Sequence, residues 1–334
     1  MAHKKLVIGA SGFLGSHVAR RLIEDGEDVR VLIRTTSSTR GIDDLDVERC
    51  YGDIFDAESV RAAIRGCDVV YYCVVDARAW LSDPTPLWRT NVDGLRQVLD
   101  VLVDSAEGDL RKFVFTSSIA TIGIAESGCA TETQPHNWLD VGGDYVHTRV
   151  LAEQMVLRYA RERGLPAVAM CVANTYGAGD WLPTPHGGLV AAAVRGRLPF
   201  YVKGAAAECV GIADAAQALV LAAERGRVGE RYIVSERFLT AREIYQTACA
   251  AVNVPPPKRG VPIRLLSAVG SVVAPLARLR GRNSQLSPLT VRLMHVMSPM
   301  DHSKAVRELG WRPRPVTDAI VEAAHFFRSR RRTA

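Results

Sequence analysis

The stretch Leu6-Val7-Ile8-Gly9-Ala10-Ser11-Gly12-Phe13-Leu14-Gly15 decides the fold. Three apolar residues read as a strand, and glycines at Gly-x-x-Gly-x-x-Gly spacing follow it at once. A helix-forming run from Gly12 to Glu24 comes next, with Gly26 placed to end it. Glycines at a strand-to-helix junction let the backbone turn tightly and approach a pyrophosphate, whose charge the helix N-terminus favours. Gly9, Ser11, Gly12, Phe13, Leu14 and Gly15 are therefore the candidate cradle for a dinucleotide, with a purely structural glycine turn as the alternative.

Outward from this loop, apolar strand-like runs at 6–8, 29–33, 47–51, 69–75 and 113–116 alternate with helix-like stretches. Asp56 is placed to cap a helix that stops at Gly66, and longer helices are expected over 86–105 and 145–163. The alternation signals stacked βαβ units, an α/β Rossmann-type doubly wound parallel sheet. A sixth strand is expected at 167–172. Beyond it Gly and Pro become frequent, and helices at 189–194, 213–225 and 240–251 surround a strand at 231–234 before Pro255-Pro256-Pro257 breaks the chain. The expected division is a nucleotide-binding unit over 1–175 and a smaller C-terminal α/β substrate-binding region over 176–334, some of whose segments return to the Rossmann core.

The end of the second strand normally chooses the cofactor, because an acid there bonds the ribose hydroxyls of NAD(H) and repels a 2′-phosphate. In this chain Arg34 holds that position, and Thr35, Ser37, Ser38 and Arg40 follow. Two guanidinium groups and several hydroxyls suit a phosphate grip, so NADP(H) is expected over NAD(H). A solvated strand-end charge, or stacking of Arg34 on the adenine, is the other reading. Asp53 and Ile54, after the third strand, are candidates for the adenine end, although Asp53 equally suits closing a turn.

Composition fits a packed globular protein: 48% hydrophobic and 23% charged residues exclude a long disordered chain. The net charge of +6 lies largely in Arg328 to Arg332 and in Arg278, Arg280 and Arg282. There is no basic stripe interleaved with aromatics, so nucleic acid is not an expected partner. Seven cysteines, odd in number and without ligand spacing, read as reduced thiols, and no metal site is expected. Residues 1–5 lead into a strand with no signal-peptide pattern, so a cytoplasmic location is expected. The apolar segment 265–277 contains Gly270 and Pro275 and is shorter than the roughly 20 residues a membrane span needs. With its arginine-rich flank it suits either a helix over the substrate site or peripheral attachment to a membrane surface.

These motifs resemble one family across nearly the whole chain. Besides Gly9 to Gly15 the resemblance rests on Gly52-Asp53, Thr90-Asn91-Val92-Asp93-Gly94, Phe115-Thr116-Ser117-Ser118, Tyr145 with Ala152-Glu153, Tyr176-Gly177, Ser303-Lys304-Ala305 and Leu309-Gly310-Trp311. The chain resembles the extended short-chain dehydrogenases/reductases of the NAD-dependent epimerase/dehydratase superfamily. Within them it is similar to the branch of dihydroflavonol reductases, 3β-hydroxysteroid dehydrogenases and hopanoid-associated sugar epimerase-like proteins. The resemblance implies a Tyr-x-x-x-Lys helix whose tyrosine exchanges the proton and whose lysine holds the nicotinamide ribose, together with a serine that bonds the reacting oxygen. Tyr145 and Ser118 match, and Asn91 matches the asparagine that organises the site. A family dimer is implied as well.

Arg149 stands where the family has lysine. Spacing of four keeps it on the helix face of Tyr145, and a fixed cation favours the phenolate. Arginine stays protonated, however, so any lysine-linked proton relay is lost. His147, two residues from Tyr145, points to another face and reads as a packing or surface residue. Asp76, Asn174, Tyr176 and Trp181, with Arg78, Trp80, Asp180 and His186, lie in loops at the sheet's carboxyl end and are the substrate-binding candidates. The leading expectation is hydride transfer between NADP(H) and a carbonyl or secondary alcohol of a fairly apolar small molecule. The rivals are a nucleotide-sugar epimerase or dehydratase with bound NAD, and an NADP(H)-binding regulator that has lost catalysis.

Overall fold

The computed structural model describes residues 4–104, 110–280 and 283–330. The chain runs β1 (Lys4–Ile8), α1 (Phe13–Glu24), β2 (Val29–Ile33), β3 (Glu48–Tyr51), α2 (Ala57–Ile64), β4 (Cys67–Tyr72), α3 (Thr85–Trp88), a π-helical segment (Arg89–Gly94), α4 (Leu95–Asp104) and β5 (Lys112–Ser118). It continues with α5 (Leu139–Arg163), β6 (Ala167–Val172), β7 (Asn174–Tyr176), α6 (Pro185–Val194), β8 (Phe200–Lys203), β9 (Ala206–Gly211), α7 (Ile212–Arg225) and β10 (Arg231–Val234). Last come β11 (Arg237–Thr240), α8 (Ala241–Ala251), β12 (Arg259–Pro262), α9 (Ile263–Leu279), α10 (Pro288–Leu293), α11 (Ser303–Leu309) and α12 (Val316–Ser329).

Seven strands form one parallel sheet in the order β3-β2-β1-β4-β5-β6-β10. Strand order reverses between β1 and β4, and a crevice opens there at the carboxyl ends of the strands. The inner strands read as continuous apolar runs because both faces are covered, whereas the edge strand β3 is part-exposed. One face packs on α1 and α7 through Val18, Leu22, Ala215 and Leu219, and the other on α2, α4 and α5 through Val60, Leu99 and Val156.

The motif at Leu309-Gly310-Trp311 locks this arrangement. Gly310 ends α11 in the left-handed conformation, and the fully buried Trp311 donates its indole N–H to the Asp214 carbonyl at 2.8 Å. Together with β10 and α7, it returns the second half of the chain to the seven-stranded sheet.

A smaller sheet, β11-β9-β7, and a β12-β8 pair lie in the C-terminal half. Their core joins α6, α8 and α12 through Val190, Ile244, Ile320 and Phe327.

Two expected helices differ in detail. The stretch from Thr85 to Asp104 is interrupted at Arg89–Gly94, where one π-type turn places Asn91 inward. The helix bearing Tyr145 starts earlier, at Leu139, and kinks at Gly143, whose φ of 66° is left-handed.

Candidate active site

The glycine loop forms a tight cradle above β1. Gly9 has a φ of 91°, and a Cβ there would meet the Cys73 carbonyl carbon at 3.0 Å, so the loops after β1 and β4 are in contact. A Cβ on Gly15 would stand 2.3 Å from the Gly9 carbonyl oxygen. The first turn of α1 can therefore lie against the loop only without a side chain. Gly12 caps α1 with extended backbone, leaving the helix's first N–H groups directed toward the crevice. Leu14 packs into the core below, and Phe13 meets His17 edge to face at 5.4 Å.

At the end of β2, Arg34 and Arg40 are exposed, and neither side chain has a partner among the described residues. Their neighbours differ: Arg20 is tied to Asp44 and Arg49 to Asp43. Ser37 donates its backbone N–H to the Arg34 carbonyl at 3.0 Å and Ile42 donates to the Thr39 carbonyl at 2.8 Å, so Arg34 and Arg40 stand in two successive turns of the segment after β2. Asp53 closes a turn, its carboxylate accepting from the Phe55 N–H at 3.1 Å, and Ile54 is buried against Gly94 in the core.

Ser118 ends β5. Its hydroxyl oxygen accepts from the Ala120 N–H at 3.1 Å, which leaves its own proton to donate. Tyr145 is half-buried on α5 against a cluster of Ala120, Trp138, Val146 and Val150, and its hydroxyl has no partner among the described residues. Arg149 sits one turn on but departs from its expected place. It is 1% exposed, donates to the Thr116 carbonyl at 2.5 Å and lies 5.2 Å over the Phe115 ring. Its guanidinium thus ties α5 to the strand that carries Ser118, rather than standing open in the crevice to meet a ribose. Burial pushes Arg149 below the ordinary arginine range, offset in part by the Tyr145 and Tyr72 phenols. Its Nε and the Tyr72 hydroxyl are both buried without partners. A glycine cradle at a helix N-terminus, with two cations nearby that have no partner among the described residues, suits the pyrophosphate and phosphate groups of a nicotinamide dinucleotide, so the residues fit such a cofactor.

Asn91 acts as a clamp. Its side-chain oxygen accepts from the Asp76 N–H at 2.8 Å, and its amide donates to the Asp76 carbonyl at 2.9 Å and to Thr148 at 3.1 Å. Asn91→Ala would leave these buried groups unpaired, and a stability loss of about 1–3 kcal/mol is expected in urea denaturation; a loss near zero would show that the clamp is dispensable. Asp76 itself is buried and gripped by Arg78 through two bonds of 2.9 and 2.5 Å. Burial opposes its ionisation, but the Arg78 guanidinium outweighs this and holds the carboxyl below its usual range. His147 bonds the Leu139 carbonyl at 2.9 Å, a packing role.

The other substrate candidates separate. Trp80 lines a cavity of about 540 Å³ between the loop after β4 and helices α9 and α10, with Leu81, Leu87, Asp144, Pro275, Arg278 and Leu289 among its walls. That volume suits a small organic molecule. Tyr176 instead is 4% exposed in the second core, and burial pushes its phenol well up. Trp181 is held 5.0 Å beneath Arg330 and 5.1 Å from Phe326. Asn174 lies in β7 opposite Cys209. His186 bonds the Thr175 carbonyl at 2.8 Å, and burial lowers it to about 4. Asp180 accepts from Thr184 at the start of α6, and burial pushes it up to about 6. None of these five residues lines the cavity; they belong to the second core and the elements around it.

Most of the wall escaped the sequence reading, Asp144, Leu289 and Arg292 among it. Asp144 accepts from the Trp88 indole at 2.9 Å and adjoins Tyr145. Ser287 followed by Pro288, with Thr290 completing a capping box, was the available sign that a helix begins there.

The chain matches the model of the NAD dependent epimerase/dehydratase family over residues 5–235. It is 31% identical over 327 residues, covering 97% of this chain and 98% of the relative, to sterol demethylase protein B of Methylococcus capsulatus. It is 27% identical over 254 residues to the dihydroflavonol 4-reductase of Zea mays, covering 70% of each chain. The crystal structure of gox2253 superposes with a TM-score of 0.86 at 32% identity, covering 99% of this chain and 100% of that one. A glycine cradle at a parallel-sheet switch point, matched over two thirds of its length to that family, makes this chain a member of the NAD-dependent epimerase/dehydratase family and an oxidoreductase of the extended short-chain type.

Proposed function

We propose that the protein is an NADP(H)-dependent oxidoreductase that reduces a carbonyl, or oxidises a secondary alcohol, on a fairly apolar small molecule. The observation that carries the NADP(H) reading is the pair of exposed guanidinium groups, Arg34 and Arg40, without partners among the described residues, in the segment that follows β2. No acid stands at the end of β2 to bond ribose hydroxyls. With the adenosine end held there, the nicotinamide at the other end of the dinucleotide would supply or accept the hydride.

The chain's own residues would do the rest. Ser118 keeps its hydroxyl proton free to donate to the reacting oxygen, and Tyr145 offers an uncommitted phenol to pass the proton. Arg149 fixes α5 against β5, so these two hydroxyls stay in register. Leu81, Leu87, Pro275 and Leu289 favour an apolar body, and the named activities of the sterol and dihydroflavonol relatives agree with a polycyclic one.

The test is NADPH oxidation with a panel of cyclic ketones, dihydroflavonols and 3-oxosteroids, beside a panel of sugar nucleotides. NADPH-dependent turnover of at least one apolar ketone is expected. Turnover confined to sugar nucleotides with retained NAD would overturn the proposal.

A further inference from the structure

Helix α9 has three faces. Leu266, Gly270 and Ala274, four residues apart, are buried against the protein. Ser271, Pro275 and Arg278 line the cavity. The third face carries Leu265, Val269, Val272, Val273, Leu276 and Leu279, which are 37–83% exposed. Their spacing puts all six on one stripe along a helix of 17 residues, about 25 Å long. Six of the thirteen large hydrophobic residues exposed among the described residues are thus gathered on one helix. Exposed apolar side chains scattered singly need no explanation, but a continuous stripe does.

Charge identifies what covers it. Between Glu243 and Asp301 the chain has no acidic residue and seven basic ones, six of them within 258–282. Arg264, Arg278 and Arg280 are exposed on α9 and at its end. Two copies meeting through this face would bring like charges together, whereas an anionic lipid surface offers an apolar layer under a negative one. No helix among the described residues is long and apolar enough to cross a membrane, so the contact is interfacial. The arginine tail is not the anchor as far as it is described: Arg328 bonds the Val194 carbonyl and Arg330 packs on Trp181.

We propose that α9 seats the protein on an anionic membrane surface, its valine and leucine stripe in the headgroup layer and its arginines on the phosphates. The cavity wall and the lipid face are two sides of one helix, so docking also sets the cavity against the bilayer. This inference does not rest on the function proposed above.

The test is flotation with vesicles of phosphatidylcholine alone and of equal parts phosphatidylcholine and phosphatidylglycerol. Binding at least about tenfold stronger to the anionic vesicles and weakened by salt is expected. The Val272→Asn/Leu276→Asn variant should lose that binding while its circular dichroism and NADPH affinity stay unchanged. Arg264→Gln/Arg280→Gln should weaken it and flatten the salt dependence. Failure of the full chain to float, equal binding to both vesicles, or unchanged binding by the apolar variant would overturn the proposal. So would a dimer in sedimentation that Val272→Asn/Leu276→Asn dissociates, since that assigns the face to a second copy.

Discussion

Tyr145→Phe is expected to lower turnover by about 10²–10⁴-fold, the range a positioned acid or base contributes, while NADPH affinity and stability remain near those of the unchanged protein. The substitution removes one oxygen atom that has no partner among the described residues, and it keeps the ring that packs near Trp138 and Val150. A residue with only a packing role would tolerate the exchange. Steady-state NADPH oxidation at saturating ketone measures the effect, and loss of less than about threefold would remove Tyr145 from the chemistry. Because Arg149 holds α5 from below, Arg149→Lys should by contrast weaken the tie to Thr116 and disturb both hydroxyls at once.

Glu153→Ala is expected to cost about 3–5 kcal/mol of stability, the range for breaking a buried ion pair from one side. Glu153 lies beneath the site on α5 with a side-chain exposure of 4%. One carboxylate oxygen accepts from Ser117, from Thr121 at 2.8 Å and from the Cys171 thiol at 3.2 Å, and the other accepts from Arg231 at 2.8 Å. Its removal would leave Arg231 with backbone carbonyl partners alone and take an acceptor from the Ser117 and Thr121 hydroxyls that flank Ser118, so activity should fall with stability. Urea denaturation measures the loss. A cost below about 1 kcal/mol would mean that the network relaxes or rehydrates and does not hold the loop.

How legible the protein was in its sequence depended on whether local pattern or long-range packing set each feature. The strands Val29–Ile33, Ala167–Val172 and Arg231–Val234 were readable to the residue, because each is an apolar run bounded by turn-forming or charged residues. The glycine cradle was readable because its spacing follows from backbone sterics. The π-helical segment Arg89–Gly94 was hidden, since an inserted residue shifts the helix phase without breaking its apolar pattern.

Arg149 shows the limit most clearly. Spacing from Tyr145 gave its helix face, but not that the guanidinium would turn onto Thr116 and Phe115. Tyr176 and Trp181 read as loop residues at the sheet's carboxyl end; the chain folds back so that Tyr176 lies in the second core and Trp181 is half-buried against Phe326 of α12. Of the cavity, Trp80 and the 265–277 helix were legible separately, but not that they meet with α10, because the loop after β4 and helices α9 and α10 lie some 200 residues apart in sequence.

Calorimetric titration with NADPH and NADH, repeated with Arg34→Ala, tests the central assignment most directly. Loss of one charge-assisted phosphate contact corresponds to roughly 1.5–3 kcal/mol, or about ten- to a hundredfold in Kd. The expected result is NADPH binding at least about tenfold tighter than NADH, with that advantage collapsing in Arg34→Ala and NADH binding left unchanged. NADH binding as tight as NADPH, or NADPH binding indifferent to Arg34→Ala, would contradict the assignment.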